Sequence, residues 1–307
     1  MINVNENAVN NLTVINEVLD TFAIPNSKTG KVTFGDLNVE TRVVIFTPGL
    51  AKKLLNDYNL ANRPLSKAHV DFLIRELNNG NWVFNADPIR FDENGLMIDG
   101  QHRLHLIVES GRSLAFFVIT GLGADVFKSI DSGKKRSGSD VFSIDNISNA
   151  TQAAAVVKFI YAFNNGKYSE NRASIRTLSN SDALQYYYDY DADKIQESIR
   201  FYGKLASQNR AIMTPSLVCG FYYLLTEINQ EKGFDFMEKL CSGANLDGNS
   251  PINALRNKII RSKIDKNYKI GNLELLQNIT YAWQKYLDGK ACKTLKIPSD
   301  FEISLNN

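Results

Sequence analysis

The pattern of apolar residues changes character once along the chain, and that change limits the architectures open to it. Between Thr41 and Phe142, short β-branched runs alternate with amphipathic stretches. Past Ser143–Asn149, where Asp, Asn and Ser cluster, strand signals almost vanish and helix-compatible spacing takes over. It recurs over Ala150–Phe163, Asp182–Tyr190, Ala192–Ala206, Pro215–Asn229, Phe234–Ser242, Pro251–Ile264 and Leu273–Leu287. The chain therefore reads as α+β, with an extension over residues 1–40, an α/β domain over 41–145 and an all-α domain over 146–307.

Within the first part the local signals are specific. Asn26–Gly35 reads as loop, because its Gly, Pro, Ser and Asn residues favour turns. Arg42–Phe46 is β-branched and aromatic, hence a strand, and Pro48 opens a short helix through Leu55. Ser66 can cap a helix carrying Val70, Leu73, Ile74 and Leu77, which Gly80 stops. Pro88–Phe91 and Leu96–Ile98 flank the polar turn Asp92-Glu93-Asn94-Gly95, a hairpin pattern. Asp99 stands where a helix N-cap belongs, with Leu104, Ile107 and Val108 on the apolar face and Gly111 at the end. Leu114–Thr120 returns as a buried strand.

Composition narrows the function classes. The 307 residues are 44% apolar and 22% charged, which excludes collagen-like, disulfide-stapled and mostly disordered chains. No run approaches the ~18 apolar residues of a membrane span. Met1–Asn16 lacks the basic and apolar regions of a signal peptide. Cys219, Cys241 and Cys292 are far apart and odd in number, as expected of reduced thiols in a cytoplasmic protein. A net charge of +2 leaves nucleic-acid binding, if present, to local patches.

The stretch that carries chemistry is Asp99-Gly100-Gln101-His102-Arg103, at the passage from a strand into a helix. The first N–H groups of a helix have no intrahelical partner and its dipole is positive there, so an anion is favoured. Gly100 lets a ligand approach the backbone, while His102 and Arg103 add donors, and Arg can hold a phosphate with two bonds. A capped helix with a few surface polar residues explains the same five residues without a ligand.

These residues stand in an order with others: Asn62-Arg63-Pro64-Leu65-Ser66, then Asn79-Gly80-Asn81-Trp82, Asp87-Pro88-Ile89-Arg90-Phe91, the 99–103 motif and Glu109-Ser110-Gly111. The order resembles the ParB/sulfiredoxin superfamily over about residues 41–142, whose shared domain binds a nucleotide through a strand–Gly–helix motif. The corresponding motif is Gly-Glu-Arg-Arg in partition-type members, Gly-Cys-His-Arg in sulfiredoxins and Asp-Gly-His-Thr-Arg in free-serine kinases. Gly100 and Arg103 match all three, His102 the sulfiredoxins and Asp99 the kinases. Gln101 stands in place of the sulfiredoxin cysteine, so no thiol serves sulfinic-acid chemistry. It also replaces the acidic residue of the partition-type motif, against a CTP-driven clamp.

A second polar cluster, Asp131-Ser132-Gly133-Lys134-Lys135-Arg136 with Asp140, follows the last strand. The resemblance implies a role in holding metal and triphosphate, with Asp131 on Mg²⁺ and Lys134, Lys135 and Arg136 on phosphates. A solvated basic loop is the alternative. Arg63 would reach the nucleotide or lie on the surface. Neither a P-loop nor a third glycine after Gly121-Leu122-Gly123 is present, so that pair reads as a tight turn. His102 and His105 lack zinc-site companions. Trp82 and Phe84 are expected to pack the end of the Ser66–Leu77 helix, and Tyr186, Tyr187, Tyr188 and Tyr190 to pack a core or interface. The basic excess concentrates in Arg256, Lys258, Arg261, Lys263, Lys266 and Lys269, which would either track a nucleic-acid backbone or form the exposed face of a helix.

The expectation is a nucleotide-binding protein taking ATP or CTP with Mg²⁺, which hydrolyses or transfers a phosphoryl group in connection with nucleic acid. Gly100, Gln101 and His102 would donate to phosphates and Arg103 would clamp them. Asp99 would cap the helix, or bind metal and polarise a hydroxyl, making Asp99, His102 and Arg103 the catalytic set. Expected partners are the nucleotide, DNA through the helical domain and a second copy in a homodimer, with no membrane. A non-catalytic module, switched by nucleotide to bind DNA or protein, is the alternative, and a scaffold with a disused pocket the third. No separate carboxylate cluster supports a nuclease.

Overall fold

The computed structural model describes residues 4–25, 29–35, 37–59, 62, 64–128, 130, 136–166, 178–208 and 212–305. The chain forms two compact units, Met1–Lys135 and Arg136–Asn307, so the division precedes the Ser143–Asn149 cluster. Among the described residues there are twelve α-helices and one five-stranded mixed sheet, and no helix is long and apolar enough to cross a membrane.

The first unit runs α1 (Val4–Thr21), β1 (Gly30–Phe34), β2 (Leu37–Phe46), α2 (Pro48–Asp57), α3 (Lys67–Asn78), β3 (Pro88–Asp92), β4 (Met97–Asp99), α4 (Gln101–Ser110) and β5 (Leu114–Leu122). The sheet order is β1-β2-β5-β3-β4, antiparallel throughout except for the central β3–β5 pair. Alternation decides what is buried. Val44, Phe46, Phe116 and Val118 enter the core with Leu50 and Leu54 of α2 and Leu104 and Ile107 of α4, whereas Ile45, one position out of phase, stays exposed.

Two elements here differ from the sequence reading. Residues 30–34, read as loop, form edge strand β1, which pairs with β2 through backbone bonds while Val32 stays 62% exposed. A strand held by its backbone alone has no apolar pattern to reveal it. Residues 4–21, read as part of an extension, form α1, whose Ile15 and Leu19 are fully buried in the sheet core.

A buried arginine fixes α1 in place. Arg42 shares the inward phase of Val44 and is 1% exposed. Its guanidinium donates to the Asn16 backbone carbonyl (3.0 Å), Asn16 Oδ1 (3.1 Å) and the carboxylates of Asp20 (2.7 Å) and Glu40. Asn16 Oδ1 also accepts from Thr120 Oγ1 at 2.9 Å, so α1, β2 and β5 meet in one polar network. Among the described residues, Arg42 Nε is the buried side-chain nitrogen without a hydrogen-bond partner.

The second unit is helical: α5 (Gly138–Ile144), α6 (Ala150–Asn164), α7 (Asn180–Asp189), α8 (Ala192–Ser207), α9 (Pro215–Ile228), α10 (Gln230–Ser242), α11 (Pro251–Ile264) and α12 (Asn272–Leu287). All seven expected helices are present, α10 starting four residues before Phe234. α5 adds one more, started by a capping box in which Ser137 and Asp140 bond reciprocally. α9 is central, buried continuously from Val218 to Thr226. All three cysteines are free, and burial pushes the Cys219 and Cys241 thiols up to about 12.

Arg42→Ala is expected to destabilise the chain by about 2–4 kcal/mol, below the range for a wholly buried pair because Asp20 is 59% exposed. Urea unfolding measures the loss, and hydrogen exchange should place it first in α1.

Candidate functional site

β4 passes into α4 through Gly100, at φ +116°. A Cβ there would lie 3.0 Å from both γ-carbons of Ile89, so position 100 needs glycine for its conformation and for close packing on β3. Gly100, rather than Asp99, is the N-cap of α4, and the cap has no side-chain hydrogen bond. The reason is register. Asp99 pairs across the hairpin with Arg90 and shares its face of the sheet, so its carboxylate points at a guanidinium. Asp99 Oδ2 accepts from Arg90 Nη1 and, at 2.8 Å, from Arg103 Nη2 one turn into α4. All three side chains are 16–25% exposed.

These residues line a cavity of about 340 Å³ with His69 and His102. Leu73, Trp82, Pro88 and Phe116 add an apolar lining, and Asn85 and Asp87 stand at the loop before β3. Trp82, expected at the end of α3, meets Phe116 of β5 edge-on at 5.7 Å, packs against the sheet core and lines the cavity. Phe84, expected to pack α3, is 54% exposed instead.

His102 and Gln101 act differently from the sequence reading. His102 Nε2 accepts the Ser66 backbone N–H at 3.2 Å, and its ring meets His69 edge-on at 5.0 Å. The acceptor role requires Nε2 to carry no proton, so the ring faces the cavity while tying the start of α4 to the N-cap of α3. Ser66 does cap α3, its Oγ accepting from the His69 N–H. Gln101 is buried away from the cavity, accepting from Asn59 Nδ2 at 3.5 Å; Asn62 Nδ2 ties that asparagine to the Met97 carbonyl. The Gln101 carbonyl oxygen is thus engaged inside the protein, and its main-chain N–H belongs to the first residue of α4.

Arg63, Asp131, Lys134 and Lys135 lie outside the described residues. Arg136 belongs to the second unit, where its backbone carbonyl accepts from Asn180 Nδ2. The basic residues of α11 are not one free face. Arg256 Nη1 donates to the carbonyls of Leu240 (2.6 Å) and Cys241 (2.7 Å), which end α10 without an intrahelical partner. Lys258 bonds Asn278 at 2.8 Å and pairs with Glu274 of α12. Arg261 reaches Asp265 and lies 4.6 Å from the Tyr268 ring, and Lys263 is exposed. The tyrosine run divides between core and surface, with Tyr187 in the core and the Tyr188 hydroxyl bonded to Asp145. Among the described residues no group of three His, Cys, Asp or Glu side chains is arranged to hold a metal.

Arg90 and His69 are the cavity residues that motif reading missed. Arg90 was legible in principle: Ile89 and Phe91 both face the core, which turns the residue between them to the other side. His69 becomes a wall residue through the packing of α3 on α4, which no local pattern encodes.

Gly100→Ala is expected to cost about 1–3 kcal/mol, through the strained conformation and the collision with Ile89. Thermal unfolding measures it, and an unchanged melting temperature would contradict the described turn.

Compared with protein-family models, with curated proteins and with solved structures, the chain matches none.

Proposed function

We propose that the first unit is a ParB/sulfiredoxin-like module whose cavity at the start of α4 binds a nucleotide, ATP or CTP. The observation that carries this reading is one cavity whose lining combines the guanidinium groups of Arg90 and Arg103 with the rings of Trp82 and Phe116. Phosphates need concentrated donors near a helix start, and a base needs an apolar wall. The volume falls within the roughly 300–1,000 Å³ usual for small-ligand sites. Asp99 orients the two guanidiniums, and a phosphate competes with it for them.

The residues fit a nucleotide better than a resident metal. Asp99 is committed to two arginines and Asp87 bonds Asn85 at 2.9 Å. Mg²⁺ would therefore arrive with a triphosphate, keeping much of its water shell. Bound this way it would neutralise phosphate charge. This commitment of Asp99 favours the non-catalytic form, in which nucleotide switches a DNA- or protein-binding helical unit. The second reading, Mg²⁺-dependent hydrolysis or phosphoryl transfer, has in its favour that Asp99 lines the cavity beside His102, where release from the arginines would free it to polarise a hydroxyl.

Calorimetry with ATP and with CTP tests the proposal. Arg103→Ala should weaken binding at least ~10-fold while the chain stays folded, and equal affinity would refute the site. Asp99→Asn separates the two readings. It removes the competing charge, so the switch reading expects nucleotide affinity equal to or above that of the native chain. Phosphate release with Mg²⁺ that disappears in Asp99→Asn would instead establish catalysis.

A further inference from the structure

The helical unit has a second cavity, of about 460 Å³, at a groove whose sides are α8 and α10 and whose floor is α9. The floor is Tyr222, only 2% exposed, whose hydroxyl donates to Glu197. Phe201 of α8 lies 4.5 Å from the Tyr222 ring, and Phe234 of α10 meets Phe201 edge-on at 5.9 Å. Phe234 is 46% exposed, an unusual position for a large ring beside an open cavity. The banks carry opposite net charge. On the α8 side Arg200 and Lys204 outnumber Glu197, which the Tyr222 hydroxyl engages, and Glu238 lines the α10 side one turn after Phe234. Among the described residues none of Arg200, Lys204 and Glu238 has an ion-pair partner within 4.0 Å.

A groove with one basic and one acidic bank is complementary to itself. Rotating a copy by half a turn about an axis along the groove, and laying it face to face, sets each basic bank over the other copy's acidic bank. An axis across the groove would set like charge on like. We propose that a second copy of the chain docks here about an axis along the groove. Arg200 and Lys204 of each copy then face Glu238 of the other, and each Phe234 covers the other's Phe201. The pattern is that of an isologous interface, with aromatic anchors central and charges at the rim.

Sedimentation of the full chain tests this. The native chain should be a dimer at on the order of 100 μM. Phe234→Asp should weaken self-association at least ~10-fold. The charge variants give the sharper result. Glu238→Lys makes both banks basic, and Arg200→Glu with Lys204→Glu makes both acidic, so each variant alone should be monomeric. Their mixture should dimerise, because both contacts of the mixed pair are again complementary. Circular dichroism confirms that each variant is folded. A monomeric native chain at that concentration overturns the proposal and gives the groove to a different molecule. Variants that still pair with themselves, or a mixture that stays monomeric, overturn it equally.

Discussion

One carboxylate oxygen organises the first unit. Asp99 Oδ2 takes a hydrogen bond from Arg90 and another from Arg103, and so joins β3, β4 and the first turn of α4. Charge-assisted bonds of this kind are worth about 1.5–3 kcal/mol each, more than the ~1 kcal/mol of a typical helix cap. That difference explains why Asp99 faces across the sheet and leaves the cap position to Gly100. It also presents two cations to one cavity without leaving both unbalanced. A carboxylate in that place holds the guanidiniums apart and in position, and its single charge cannot neutralise both.

The fold was legible wherever local chemistry decides it. Ser66 caps a helix, the Asp92–Gly95 turn joins two strands, and the helices from Ala150 onward follow apolar spacing read directly from the chain. What stayed hidden depends on partners far away in sequence. Strand alternation turns Arg42 inward with Val44, but the partners that let it be buried include Asn16 and Asp20, on a helix more than twenty residues earlier. The strand β1 is likewise defined by what it pairs with.

The site shows the same division. Gly100 and Arg103 could be singled out from a five-residue motif, since a strand-to-helix turn is a local event. The roles of Gln101 and His102 were not legible, because Asn59 and Ser66 choose them from another part of the fold. Basic residues teach a similar lesson. Arg256 reads as a phosphate contact by charge alone, yet it satisfies two carbonyls at the end of α10. Charge in a sequence says what a residue can attract, and only packing says whether protein or solvent supplies the partner.

The burial of α9 from Val218 to Thr226 on every side has a consequence for how the second unit can come apart. A helix with no solvent-facing stripe gains little by forming before its neighbours, and loses its surroundings when any of them leaves. Partial opening of the unit would uncover greasy surface all round that rod. The helices packed around α9 are thus built to melt as a single cooperative block, and trimming a peripheral one would threaten all of them.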